Sequence, residues 1–193
     1  EPIVELTEFG YRSADGPKSA AEAVPTYRSM MEMIGELAAT EVAPRAAAID
    51  REGAHLANGE VVAGPASTHV FDAFKNAELH RLSIPRELGG MNAPILLYFL
   101  AGEIVARADV STMGHFSFHG GMALAMLAFS AREGTTKFDA SGGVIEATRF
   151  RSYIEEIARG DAWGAMDITE PNAGSDMAAL STRAELGGDG RWY

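Results

Sequence analysis

Between Ser111 and Ala131 the sequence is apolar nearly all the way round a helix. Met113, Phe116, Phe118, Met122, Leu124, Met126, Leu127 and Phe129 leave it no polar face. Such a helix belongs in the interior of a bundle, so other elements must cover it. The chain offers several. A helix is predicted over roughly 93–107, capped by Asn92, with Leu96, Leu97, Leu100 and Ile104 at its core. Another runs from a cap at Ser67 or Thr68 to about Glu78, burying Val70, Phe71 and Phe74. A third starts at Pro25, which suits a first helical turn, and reaches about Asp50 through Met30, Ile34, Leu37 and Val42. Pro44 should kink or restart it. A fourth covers about 147–159, with Phe150, Tyr153, Ile154 and Ile157, and stops at Gly160. Residues 51–66 and 133–146 read as loops, and residues 1–24 as an irregular arm with room for a short helix.

The character changes after Asp161. Ala162–Thr169 and Ser181–Leu186 read as strands, Gly187–Gly190 as a turn, and Arg191–Tyr193 as the start of a third strand. Two or three strands rarely stand alone. The expected fold is therefore mainly α: an N-terminal helical bundle over 1–161, followed at 162–193 by the truncated start of a β-barrel domain. No internal repeat or low-complexity tract is visible.

Composition narrows the function. Sixteen Lys and Arg against 27 Asp and Glu give a net charge of −11. That balance argues against a surface for nucleic acid or an anionic membrane, both of which need basic patches. It leaves room for a small anion held by a local set of donors. With no cysteine, disulfides, thiol catalysis and Cys-based metal sites are excluded. No apolar run approaches the ~20 residues of a membrane span, and no signal peptide is recognisable. The expectation is a cytoplasmic protein.

The segment Thr169-Glu170-Pro171-Asn172-Ala173-Gly174-Ser175-Asp176 carries the most chemistry. A strand ends in a Pro-containing turn followed by Gly-Ser-Asp. Such a turn can present consecutive backbone N–H groups, Ser175 adds a hydroxyl, and Gly174 lets a ligand approach the backbone. This suits a diphosphate or similar anion. An ordinary Asx-type turn between two strands explains the same residues.

With Ile168 before it and Leu180, Thr182 and Ala184 after it, the segment resembles the signature of the acyl-CoA dehydrogenases. Leu82–Gly90 is similar to a turn of that family, and Arg149–Asp161 to the helix and Gly-acidic pair before its flavin-binding strand. The similarity spans roughly 28–193. The long Asn58–Ala66 and Thr135–Glu146 loops resemble the larger bacterial branch that includes methylthiopropanoyl-CoA dehydrogenase.

The resemblance implies FAD as cofactor and α,β-dehydrogenation of an acyl-CoA thioester. It places the backbone of Met166, Ile168 and Thr169 at the pyrimidine end of the flavin. Gly174 and Ser175 fall at the FAD diphosphate, with Ser175 also touching the CoA part of the substrate. Glu170 and Asp176 are assigned to turn geometry, because a carboxylate facing a phosphate is repelled. Phe116, Phe118 and Met122 would line the acyl pocket, with Gly120 and Gly121 leaving room; plain helix packing accounts for each of them equally well.

No catalytic residue is assigned. In the family the base comes from a C-terminal helical domain, expected beyond Tyr193, as is the segment that covers the flavin. The 193 residues alone are thus expected neither to hold FAD tightly nor to turn over. An electron-transfer flavoprotein is the expected electron acceptor and a homo-oligomer the expected assembly. A non-catalytic or flavin-binding partner subunit and an acyl-CoA oxidase are the alternatives.

His115 and His119 share one helical face at a spacing that can bind metal. No Glu follows the first His and no third ligand is near, so they read as core or pocket-wall histidines. Asp50, Glu52, Glu103, Asp109, Glu155 and Glu156 read as caps, ion-pair partners or solvated faces.

Overall fold

The computed structural model describes residues 2–140 and 143–193. Glu1 of the arm, and Ser141 and Gly142 of the loop expected over 133–146, lie outside the described residues.

Helix α6, Val110–Arg132, is the spine of the bundle. Asp109 caps it, its carboxylate accepting from the Thr112 N–H at 2.6 Å. The helix is not interior on every side, as its sequence suggested. Thr112, Phe116, His119, Ala123 and Leu127 form one buried stripe at helical spacing, while Val110, Phe118 and Phe129 are exposed. Along that stripe α6 packs on α5, Ile95–Ala108, and on α7, Arg151–Arg159. The approach to α5 requires Gly120: a Cβ there would stand 2.7 Å from the Tyr98 ring. The Tyr98 hydroxyl donates to the Ser117 carbonyl and accepts from the Gly121 N–H at 3.1 Å. Tyr98 thus fills the room that the two glycines were expected to leave for a substrate.

Helix α1, Pro2–Thr7, occupies the arm, and α2, Ala20–Leu37, starts five residues before the predicted Pro25. Ser19 caps α2 by accepting from the Glu22 N–H, and the Glu22 carboxylate accepts from the Lys18 N–H at 2.8 Å. Pro25 therefore lies inside the helix. Past Leu37 the chain loosens into a π turn, Ala38–Val42, then a 3₁₀ turn at Ala43–Arg45, and restarts as α3, Ala46–Glu52. The restart falls at Pro44, as expected.

The predicted 51–66 loop is a β-hairpin, β1 (Ala54–Ala57) against β2 (Glu60–Ala63). Asn58 and Gly59 both take positive φ, the mark of a type I′ hairpin turn, a signal that the loop reading passed over. Helix α4, Pro65–Asn76, follows with Pro65 in its first turn and Gly64 rather than Ser67 or Thr68 at its cap. Glu52, from α3, supplies the capping carboxylate by accepting from the Ala66 N–H at 2.7 Å. Likewise Asn92 does not cap α5. It adopts a positive φ and its amide donates to the Thr7 carbonyl at 3.1 Å, leaving Pro94 at the helix start. Within 133–146 a second short hairpin pairs β3, Lys137–Phe138, with β4, Ile145–Ala147. Gly160 ends α7 in the left-handed conformation, as predicted.

Two apolar clusters result. One joins α2, the π turn, α3, α4, α5 and α6 through Ile34, Val42, Ile49, Val70, Phe74, Val105 and Phe116; the other joins α6, α7 and the 82–90 turn through Ile84, Leu88, Leu127, Ile154 and Ile157. In that turn a Cβ on Gly90 would lie 1.7 Å from the Ile84 carbonyl oxygen, so only glycine fits.

The stretch 162–193 departs from expectation. Ala162–Thr169 and Ser181–Leu186 form no strand ladder: the first pairs with no other segment, and the second pairs only at its end, with residues 191–193. Single bridges join Glu170 to Ala173 and Leu186 to Trp192. The Gly187–Gly190 turn is as predicted, with Glu185 and Tyr193 exchanging backbone hydrogen bonds at 3.0 Å across it. Among the described residues no helix is long and apolar enough to cross a membrane.

Candidate functional site

The Thr169–Asp176 segment is a tight turn that consumes its own carboxylates. Glu170 and Ala173 exchange backbone hydrogen bonds at 3.1 and 3.0 Å around Pro171-Asn172. The Glu170 carboxylate reaches across to accept from the N–H and hydroxyl of Ser181 and from the Thr182 N–H, at 3.0, 3.1 and 2.7 Å. These bonds, Thr182 first, hold its pKa down to about 2. Asp176 turns the other way and caps the short 3₁₀ turn Met177–Ala179, accepting from the Ala178 N–H at 3.2 Å. Both acids therefore serve the backbone, as the sequence reading assigned them.

What remains at the surface is a set of donors. Gly174 and Ser175 are exposed. Among the described residues their backbone N–H groups make no hydrogen bond to protein, nor do the hydroxyls of Thr169 and Ser175. A Cβ built on Gly174 would meet nothing within 4 Å, so the backbone there is open to a ligand. Ala173, one residue earlier, is buried and anchors the turn. A donor set of two N–H groups and hydroxyls, with both carboxylates already engaged by other N–H groups, fits a diphosphate such as that of FAD. Met166, Ile168 and Thr169 are exposed along the preceding extended segment.

The two aromatic candidates separate. Phe116 is 2% exposed and packed between Phe74 and Tyr98, at ring distances of 5.9 and 5.8 Å. It is a core residue with no open face. Phe118, two positions on, points to the opposite side and is 39% exposed. Its carbonyl lies 2.5 Å from the point where a Gly164 Cβ would stand, and Met122 Cγ lies at the same distance. Phe118 and Met122 thus flank the start of the 162–176 stretch, and Phe116 does not.

The sequence reading missed the cluster that ties this stretch to the bundle. The Trp163 indole lies 3.7 Å from the His119 ring, 4.7 Å from both His115 and Phe71, and 5.5 Å from His80. The Gly164 N–H points at His119 Nδ1 at 3.4 Å, which places the His119 proton on Nε2. His119 Nε2 and both ring nitrogens of His80 are buried without a hydrogen-bond partner. Burial, helped by Lys75, lowers His80 to about 4; burial, helped by repulsion from His80 and His115, lowers His119 to about 3. His115 is lowered by burial alone. All three are neutral aromatic walls at neutral pH. Among the described residues no group of three or more acids and histidines could hold a metal ion. The signal was present in Trp163 and His80, but neither neighbours the His115–His119 pair in sequence.

Residues 25–138, more than half of the chain, match the model of the acyl-CoA dehydrogenase N-terminal domain. The chain belongs to the acyl-CoA dehydrogenase family. It is 30% identical over 179 residues to the 3-methylmercaptopropionyl-CoA dehydrogenase of Ruegeria pomeroyi, covering 89% of this chain and 28% of that relative. It is 25% identical over 160 residues to the mitochondrial isovaleryl-CoA dehydrogenase of Arabidopsis thaliana, covering 83% of this chain and 34% of that relative. The chain thus spans about a third or less of the length of these relatives. The Ruegeria enzyme is the longer of the two, in line with the resemblance to the larger bacterial branch.

The fold is that of the butyryl-CoA dehydrogenase from Megasphaera elsdenii, with a TM-score of 0.58 at 18% identity over 86% of this chain and 38% of that one. A structure described as an electron transferring flavoprotein of Acidaminococcus fermentans matches with a TM-score of 0.54 at 25% identity, over 84% of this chain and 36% of that one.

Proposed function

We propose that this chain supplies the helical domain and one edge of the cofactor site of an FAD-dependent acyl-CoA dehydrogenase. The observation that carries the reading is the Thr169–Asp176 turn. It engages its carboxylates in hydrogen bonds to neighbouring N–H groups and leaves the donors of Gly174, Ser175 and Thr169 without a protein partner. Gly174 and Ser175 would hold the FAD diphosphate, with Ser175 also reaching the CoA part of the substrate. Met166, Ile168 and Thr169 would border the pyrimidine end of the flavin. Phe118 and Met122, which flank the start of the 162–176 stretch, would border an acyl group, and Phe116, a core residue, would not.

FAD, when bound, accepts the two electrons of α,β-dehydrogenation. The residues here contribute position and electrostatics. A diphosphate meets hydrogen-bond donors and no facing carboxylate, and the exposed apolar Met166 and Ile168 give a surface that excludes water from a ring placed on it. Glu170 cannot serve as the base for the α-proton, since hydrogen bonds hold it ionised and weakly basic. No residue of this chain is proposed as that base. An electron-transfer flavoprotein is the proposed electron acceptor, and a homo-oligomer the proposed assembly.

The test uses the protein in its natural reading frame. It is titrated anaerobically with acyl-CoAs of varied length and branching while flavin absorbance is followed. Bleaching by at least one thioester is expected. A protein that binds flavin but bleaches with none would overturn the dehydrogenase reading in favour of a partner subunit. Peroxide formed with oxygen as sole acceptor would make it an oxidase.

A further inference from the structure

We propose that Trp163 is a positioning residue: clamped by Phe71, His80, His115 and His119, it sets where the Met166–Ser175 edge stands against the helical bundle. The inference rests on the flavin-site reading above and adds to it a residue that touches neither cofactor nor substrate. Trp163 lies three residues before Met166 and six before Thr169. At about 3.3 Å per extended residue its anchor fixes Met166 within roughly 10 Å.

Few other contacts can do this. Upstream, Asp161 is held by Lys75 at 3.0 Å and Arg159 at 2.8 Å, but all three side chains are about half exposed. Surface ion pairs of that kind constrain little. The Trp163 indole keeps 42% of its surface exposed, but its other face packs on three elements, α4, α6 and the His80 turn, and two of the rings it meets, His80 and His119, are almost wholly buried. Directly after it, Gly164 has no space for a Cβ, with Met122 Cγ and the Phe118 carbonyl each at 2.5 Å. Its N–H is spent on His119. The chain is thus locked in direction as well as place before it reaches the cofactor edge. The imidazoles are suited to the task because, neutral, they give flat walls without bringing charge to an indole.

The experiment compares Trp163→Ala, Trp163→Phe and Gly164→Ala with the parent protein. Amide NMR comes first, without flavin. In Trp163→Ala the Gly164–Ser175 amides should collapse to random-coil positions while those of α5–α7 stay dispersed; Trp163→Phe should retain the parent positions. Flavin dissociation comes second, with at least a tenfold faster release in Trp163→Ala and less than threefold in Trp163→Phe. Should Trp163→Ala not fold, Gly164→Ala, which keeps every ring, should show the same displacement. Unmoved Gly164–Ser175 amides overturn the proposal, as does a variant that melts earlier but releases flavin at the parent rate. A parent protein that binds no flavin would sink the cofactor reading alone, and the amide shifts would still decide the clamp.

Discussion

Residues 20–160 and residues 162–193 are built by different rules. In the first, apolar side chains recur at helical spacing and meet across helices, so position is set by burial. In the second, Ala173 is the only buried residue among those described, and position is set by hydrogen bonds to Glu170 and Asp176 and by one aromatic anchor. Damage in the bundle should therefore register as lost stability. Damage in the turn should register as lost binding with stability intact.

The largest expected effect falls where the arm packs on the bundle, at the one fully buried carboxylate among the described residues. Glu8 is 0% exposed, yet it is ionised. Burial alone would raise its pKa, but Arg86, in two bonds of 2.6 and 2.9 Å, and the Tyr27 hydroxyl hold it below the ordinary range. Arg86→Met leaves that charge buried without its partner, which costs about 3–5 kcal/mol. Urea unfolding at neutral pH measures it, and adding Glu8→Gln should recover part of the loss. A loss under about 1 kcal/mol would mean that the arm peels away from the bundle when the pair is broken, and the arm would then have to be grouped with the turn.

The next effect falls on the junction between the two regions. His80 and His119 have folded pKa values near 4 and 3, below the unfolded value of 6.5. A depressed histidine binds its proton more readily unfolded, so stability is full above about pH 6.5 and falls as pH drops towards 4. His80 alone contributes about 3 kcal/mol across that window. His80→Phe should flatten the dependence in urea midpoints taken between pH 7 and 4.5. An unchanged slope would show that the clamp opens to solvent, and that the junction is as loosely held as the turn.

The same contrast explains how much the sequence disclosed. Five of the helices were legible because Ile34, Val70, Phe74, Leu127, Ile154 and their neighbours keep a helical period. The caps of α4 and α5 were not, because tertiary contacts decide them: Glu52 caps α4 from another helix, and Asn92 is drawn away by Thr7. The all-apolar α6 was read as interior, but only the stripe through Phe116 and His119 is covered. In the turn, the roles of Glu170 and Asp176 were legible from charge alone. The link from Trp163 to His80 was not, since it joins residues 83 apart through ring packing, which leaves no periodic trace.

The smallest expected change in stability is the most informative about function. Ser175 is exposed and its hydroxyl makes no bond to the protein, so Ser175→Ala should move the urea midpoint by less than about 0.5 kcal/mol. If the hydroxyl meets a phosphate oxygen, its removal forfeits one hydrogen bond to a charged group, about 1.5 kcal/mol, or roughly tenfold in FAD affinity. Glu170→Gln is the matched control. It weakens the bonds to Ser181 and Thr182 that shape the turn, yet removes no group facing outward. It should loosen FAD through geometry, and therefore speed release. Ser175→Ala with unchanged FAD affinity would return the segment to an ordinary turn between two extended stretches. The cofactor edge would then have to be sought along Met166–Thr169 alone.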